Sequence, residues 1–223
     1  RAGLLADFQV AGPAAQARSR ARLAAMAALS PASTIGVVGA GTMGGGIAEV
    51  AARAGHRALL VDAIPGAADA AIAAARGRLT GSAARGRLTN EEAEGTISRL
   101  TAVSSVADLS PCALVIEAVV EDLEVKRTLF ATLEAACDAT AILATNTSSL
   151  SVTEIAAATA KPERVAGLHF FNPAPVLPLV EVVAAAQTDP TVIEALAEAA
   201  RAWGKTPVRS TDTPGFIVNR VAR

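Results

Sequence analysis

Tyrosine is absent from the 223-residue chain, tryptophan occurs once and phenylalanine five times, so aromatic residues amount to only 3%. A core must then be filled by Ala, Val, Leu and Ile rather than by rings, which 54 alanines and a 52% apolar content allow. Histidine and cysteine are scarce as well, with two of each. Neither Cys112 nor Cys137 sits in a CxxC pair, which excludes a disulfide scaffold and a Cys/His zinc site, so no metal is expected. Both cysteines read as small buried hydrophobes. No apolar run approaches the ~18 residues of a membrane span. The richest, Ala113–Val120, is eight residues long and contains Glu117. A net charge of −1 supplies no field for gripping nucleic acid or an anionic membrane. With 18% charged residues and a mean hydropathy of +0.40, intrinsic disorder is excluded. Asn146-Thr147-Ser148 matches a glycosylation sequon, but nothing else indicates secretion, and a reducing cytoplasmic compartment is expected.

The chain divides into three parts. Residues 1–32 carry Arg1, Arg18, Arg20 and Arg22 against one acid, Asp7, in an Ala-rich background ending in Ser30-Pro31-Ala32-Ser33. A transit peptide, a helical extension and a linker all fit that composition, and no chemistry is assigned to it. From residue 33 to 213 the pattern is regular. Strands are expected at Thr34–Val38, Arg57–Val61, Leu100–Val103, Ala113–Ala118, Ala141–Thr145, Arg164–His169, Leu179–Val183 and Pro207–Ser210. Helices are expected at Thr42–Ala54, Gly66–Ala84, from Thr89, and at Leu123–Cys137, Ser151–Ala158 and Pro190–Trp203. Strands alternating with helices predict an α/β fold, Rossmann-type and doubly wound, with a mainly parallel sheet. Residues 214–223 read as the start of a further helix.

Gly39-Ala40-Gly41-Thr42-Met43-Gly44 is a GxGxxG between a strand and a helix, and Asp62 ends the next strand 21 residues after Gly41. Gly39 permits the tight turn, Gly41 lets the backbone approach a pyrophosphate, and Gly44 permits close packing of helix on strand. The helix N-terminus then offers N–H groups and partial positive charge to phosphate. Asp62 would accept from the ribose hydroxyls and repel a 2′-phosphate, so NAD is preferred to NADP.

His169 ends a strand, and Glu181 follows 12 residues later inside an apolar one. A buried acid requires a partner, and adjacent strands would bring Glu181 beside His169, where it orients an imidazole able to accept a proton near neutral pH. A core histidine and an edge-strand glutamate are the alternatives, and the pair is favoured only because it adjoins a nucleotide loop. Thr145–Ser149 follows a strand end that faces the ligand crevice, and it also suits capping of the next helix.

Six segments together resemble the 3-hydroxyacyl-CoA dehydrogenases: GAGTMGGGIA from Gly39, Glu117–Glu121, NTSSL from Asn146, HFFNPAP from His169, LVEVV from Leu179 and TPGFIVNR from Thr213. The resemblance runs from about Ser33 to Arg223. It implies that His169 is the general base taking the proton from a substrate 3-hydroxyl while hydride passes to the nicotinamide, with Glu181 as its partner. Ser148 and Asn219 would hold the reacting oxygen. Thr42, Met43, Asn146, Ser148, Glu121, Lys126 and Asn172 would join the glycines and Asp62 in contacting the cofactor, with Lys126 also near the acyl-CoA. Where many relatives carry Met-Lys this chain has Leu177-Pro178, which removes a positive charge near the site. Family members carry a further helical domain that dimerises and closes over the acyl-CoA, so a homodimer is implied for the full-length protein. The competing expectation is an NAD-binding module with little turnover of its own. Within the family the resemblance leans to 3-hydroxyadipyl-CoA and 3-hydroxybutyryl-CoA dehydrogenases, in phenylacetate degradation or β-oxidation.

Overall fold

In the computed structural model, which describes residues 29–217, the strands are β1 (Thr34–Val38), β2 (Arg57–Val61), β3 (Leu100–Ala102), β4 (Cys112–Glu117), β5 (Ile142–Thr145), β6 (Val165–Phe170), β7 (Leu179–Ala184) and β8 (Thr206–Thr211). The helices are α1 (Thr42–Arg53), α2 (Ala67–Ala84), α3 (Asn90–Ser98), α4 (Leu123–Ala136), α5 (Val152–Ala156) and α6 (Pro190–Ala202). Most expected ends shift by one or two residues. Ser151 lies outside α5 because its hydroxyl caps the helix, accepting from the Glu154 N–H at 3.2 Å. Two short 3₁₀ turns, Val106–Leu109 and Pro162–Arg164, were not expected. The helix anticipated at 214–223 falls mostly outside the described residues, as do residues 1–28.

The strands form one sheet in the order β3-β2-β1-β4-β5-β6-β7-β8. Only the β6–β7 pair is antiparallel, and its register sets His169 directly opposite Glu181. Strand order reverses between β1 and β4, and in such sheets ligands bind in the crevice beyond the strand ends at that point. Pro207 falls in β8, an edge strand, where a missing N–H is tolerated.

Alternation along the inner strands splits the core across the two faces of the sheet. Ile35, Val37, Leu60, Leu114, Ile116 and Leu168 point to one side, with Ile47, Ala48, Ala51 and Leu196 from the helices. Val38, Leu59, Val61, Val115 and Leu143 point to the other, against Phe130 and Leu133 of α4. With both faces covered, the strands read as unbroken apolar runs. Alanine on α1 lets that helix lie close to β1 and β2, so few large side chains fill the interior. Two of the buried rings bond through their nitrogens. Trp203 donates from Nε1 to Nε2 of buried His56 at 2.8 Å, and His56 Nδ1 donates to the Ser33 carbonyl at 3.1 Å. Burial pushes the His56 pKa below its ordinary 6.5, and the Ser33 bond only partly offsets this.

Candidate active site

The loop after β1 is shaped by its glycines. Gly39 adopts φ +98°, and a Cβ there would lie 2.5 Å from the Ala118 carbonyl oxygen, so the loops after β1 and β4 touch across the crevice. A Cβ on Gly44 would meet the Gly39 carbonyl oxygen, so this glycine is required by the loop itself as well as by helix packing. Gly41 differs from both. It is extended, and a Cβ there would meet nothing within 4 Å. No side chain caps α1 and its first turn contains no acid, whereas Thr89, Asp122, Ser151 and Asp189 cap the starts of α3, α4, α5 and α6. A helix start left uncapped beside a clear approach is the form that receives a phosphate. Asp62 lies alongside, its Oδ2 accepting from the Ala40 N–H at 2.5 Å and its Oδ1 from the Ile64 N–H at 2.8 Å. Each oxygen keeps a lone pair for a ribose hydroxyl. A cavity of about 660 Å³ is lined here by Gly39, Gly41, Asp62, Ile64, Val119 and Val120, polar on one side and apolar on the other, as an adenosine requires.

A second cleft of about 390 Å³ lies where β4, β5 and β6 end, lined among others by Met43, Glu121, Lys126, Asn146, Ser148, His169 and Asn172. These seven expected residues are scattered over 130 positions of sequence, from 43 to 172, and the topology brings them together. His169 is 6% exposed and its Nδ1 lies 2.7 Å from Glu181 Oε2. Glu181 is fully buried on an interior strand, which excludes the exposed edge-strand alternative. An ionised carboxylate only accepts, so Nδ1 donates to it, and in the neutral imidazole Nε2 then keeps the lone pair. The imidazole lies against Phe171, with ring centroids 4.5 Å apart, and near Phe216 at 5.9 Å. Glu181 Oε1 accepts the Ile217 N–H at 2.9 Å, which ties the segment after β8 to the same carboxylate. Asn219, expected at this site, lies outside the described residues.

Asn146 sits differently from a simple ligand contact: its Oδ1 accepts the Phe170 N–H at 2.8 Å and stitches β5 to the end of β6. Glu121 Oε1 accepts from the Thr147 hydroxyl at 2.5 Å and from the Ser148 N–H at 2.9 Å. Burial pushes the Glu121 carboxyl up, but Thr147, the Lys126 cation and Ser148 together outweigh it and hold the pKa below its ordinary value. Lys126 is buried between Glu117 and Glu121, at 2.5 and 3.3 Å. Sequence reasoning gave Glu117, Thr145 and Thr147 no individual role. The signal available was a single acid closing an otherwise apolar strand, a position that must be paired.

A groove of about 510 Å³ meets this cleft at Asn172 and runs between α1, α2 and the loop Pro173–Val176 to Arg53 and Arg78. Its walls are small at Gly45, Gly46, Ala71 and Ala74, and Arg78 is held at the far end by buried Glu49, 2.8 Å away. Among the described residues no group of three His, Cys, Asp or Glu side chains is placed to hold a metal, and no helix is long and apolar enough to cross a membrane.

Residues 34–213 match the family model described as 3-hydroxyacyl-CoA dehydrogenase, NAD binding domain. The chain is 54% identical over 190 residues to 3-hydroxyadipyl-CoA dehydrogenase of Escherichia coli K12, spanning 85% of this chain and 40% of that protein. It is 38% identical to 3-hydroxybutyryl-CoA dehydrogenase of Clostridioides difficile, spanning 84% and 66%. Its fold is similar to the crystal structure of an E. coli K12 3-hydroxybutyryl-CoA dehydrogenase, with TM-score 0.85, 54% identity and coverage of 86% and 41%. A second match is (S)-3-hydroxybutyryl-CoA dehydrogenase from Ralstonia eutropha, with TM-score 0.83, 35% identity and coverage of 86% and 68%. The chain thus spans 40–66% of the length of these two curated relatives.

Proposed function

The chain belongs to the 3-hydroxyacyl-CoA dehydrogenase family, as its NAD-binding domain, and from that premise we propose that it serves the NAD-dependent oxidation of a (S)-3-hydroxyacyl-CoA to the 3-ketoacyl-CoA. The observation that carries this reading is the His169–Glu181 contact in the lining of the cleft, at the same edge of the sheet as the phosphate loop, with β4 and β5 between them. NAD supplies the hydride acceptor. His169 Nε2 takes the proton from the 3-hydroxyl as the C3–H bond breaks, and the oxygen's electron pair forms the ketone. Glu181 fixes the Nδ1–H tautomer and stabilises the imidazolium that results. Ser148, which lines the same cleft as the base, holds the reacting oxygen, a role the family resemblance also gives to Asn219. Gly39, Gly41, Thr42, Gly44 and Asp62 hold the adenosine and pyrophosphate. Met43, Glu121, Lys126, Asn146 and Asn172 surround the nicotinamide end.

The 510 Å³ groove suits an acyl-CoA: a narrow apolar lane for the pantetheine arm, leading from the cleft to arginines that can meet phosphate. In this reading residues 33–213 are the cofactor unit, 214–223 lead into a helical dimerisation domain, and the full-length protein is a cytoplasmic homodimer. The names of the relatives above, 3-hydroxyadipyl-CoA and 3-hydroxybutyryl-CoA dehydrogenase, support a substrate among such thioesters. Since the chain spans 40% of one of them, a second reading is that these 223 residues bind NAD and turn over only as part of a longer chain. The test follows NADH consumption with acetoacetyl-CoA, in the chain and in its full-length protein. His169→Gln should lower kcat about 10²–10⁴-fold with little change in NAD affinity. A variant that keeps the wild-type rate would end the proposed mechanism.

A further inference from the structure

Glu117 closes β4 with no exposed surface, yet its carboxylate serves three separate elements. Oε1 accepts from Lys126 Nζ of α4 at 2.5 Å and from the Val119 N–H of the following loop at 2.7 Å. Oε2 accepts from the Thr145 hydroxyl at the end of β5 at 2.7 Å. Thr145 Oγ1 in turn accepts the Thr147 N–H at 3.2 Å, so the carboxylate reaches into the turn that carries Asn146 and Ser148. Lys126 is just as deeply buried, and its other partner is Glu121. A buried ion pair is a poor source of stability compared with apolar side chains of the same volume, and a position is what such a pair fixes best. Here the position fixed is that of one ammonium and one turn, both lining the 390 Å³ cleft.

We propose that Glu117 is a positioning residue of the cofactor site, acting through Lys126 and Thr145 to hold the walls around the nicotinamide end. The proposal rests on the reading that this cleft receives the nicotinamide. Without the Glu117 charge, Glu121 is the one carboxylate partner left to the Lys126 ammonium among the described residues. That pull competes with the bonds Glu121 makes to Thr147 and Ser148, and three lining residues move together. The adenosine end is held chiefly by Asp62 and the loop after β1, and Glu117 reaches it through one bond, to the Val119 N–H, so it should sense the change far less.

The experiment compares ADP and NADH on the folded chain. NADH emission reports the surroundings of the dihydronicotinamide, and a single tryptophan keeps the protein background low. For Glu117→Gln the expected results are ADP affinity within about twofold of wild type, NADH affinity lower by about tenfold and a smaller rise in emission on binding. Thr145→Val, which leaves the ion pair in place, should shift NADH binding in the same direction by less, and it decides the matter alone if Glu117→Gln does not fold. Unchanged NADH affinity and emission in a folded Glu117→Gln, or in Thr145→Val where it stands alone, would overturn the proposal. So would an equal loss for ADP, which marks a merely structural role. Wild-type protein that binds NADH while its emission stays that of the free coenzyme would instead overturn the reading of the cleft.

Discussion

Gly41→Ala separates what the ligand demands of the phosphate loop from what the protein demands. At Gly41 the backbone is at φ −67° and ψ −171°, open to any L-residue, and an added methyl meets no atom within 4 Å. Reduced freedom of the unfolded chain favours alanine by about 0.4–1 kcal/mol. Alanine is a poorer N-cap than glycine by roughly a similar amount. The two nearly cancel, so stability should change by less than about 0.5 kcal/mol and Tm by less than about 2 °C. Gly44→Ala is the contrast. Its methyl would run into the Gly39 carbonyl, which is backbone and cannot rotate away, so the loop must open. That overpacking should cost about 2–3 kcal/mol, or about 4–12 °C in a chain of this size. Calorimetry with NAD then completes the comparison. Gly41→Ala places a methyl where the pyrophosphate approaches and should weaken binding at least about tenfold in a protein that melts like wild type. NAD bound as tightly as by wild type would refute the argument, as would a Gly41→Ala protein that melts like Gly44→Ala.

Two further expectations follow from single side chains. His56 is buried neutral between the Ser33 carbonyl and the Trp203 N–H, with its pKa below 6.5 in the folded state. The unfolded chain therefore binds more protons below that value, so the stability held here is complete above pH 6.5 and is lost as pH falls through the lowered pKa. The urea midpoint of wild type should drop between about pH 7 and pH 5 more than that of His56→Gln, and parallel profiles would show that His56 does not titrate on unfolding. Asp62→Ser removes the charge that opposes a 2′-phosphate and should reduce the NAD-over-NADP preference by about tenfold or more, measured as a ratio of dissociation constants. An unchanged ratio would take Asp62 out of that role.

Legibility in the sequence followed the range of the physics involved. Strand β1, the glycine loop, α1 and Asp62 were readable because a turn, a helix start and an acid at a strand end are local, and each residue has a nearby reason. The capping box at Thr89 and Glu92 was readable for the same cause: side chain and backbone three residues apart satisfy each other at 2.7 and 3.1 Å. The approach of Glu181 to His169 required only that two neighbouring strands pair. The network from Glu117 through Lys126 and Glu121 to Thr147 was not readable. Its members come from β4, the loop after it, α4 and the turn after β5, and no periodicity says which way a buried acid at a strand end will find its cation. The Trp203–His56 bond, 147 positions apart in sequence, is a stronger case. Nor could the sequence show that Asn146 spends its side-chain oxygen on the Phe170 N–H, since a polar residue after a strand suits a ligand and a neighbouring backbone equally well.

The antiparallel pairing of β6 with β7 divides the labour of that hairpin. Its stems hold His169 against Glu181 by ladder register, in which a slip of one residue would turn Glu181 to the other face of the sheet. Its connection, from Phe171 to Pro178, contributes Asn172 and Pro173–Val176 to the groove. Changes in the length or composition of the connection can therefore reshape what the groove admits while the ladder keeps the base in place. In this chain the connection ends in Leu177-Pro178, whose backbone is anchored from the start of β8 and the residue before it: Lys205 Nζ donates to the Leu177 carbonyl at 2.9 Å and the Thr206 N–H donates to the Pro178 carbonyl at 2.7 Å. Under the proposed function, loop exchange would change the substrate range and leave the His169–Glu181 pair in place.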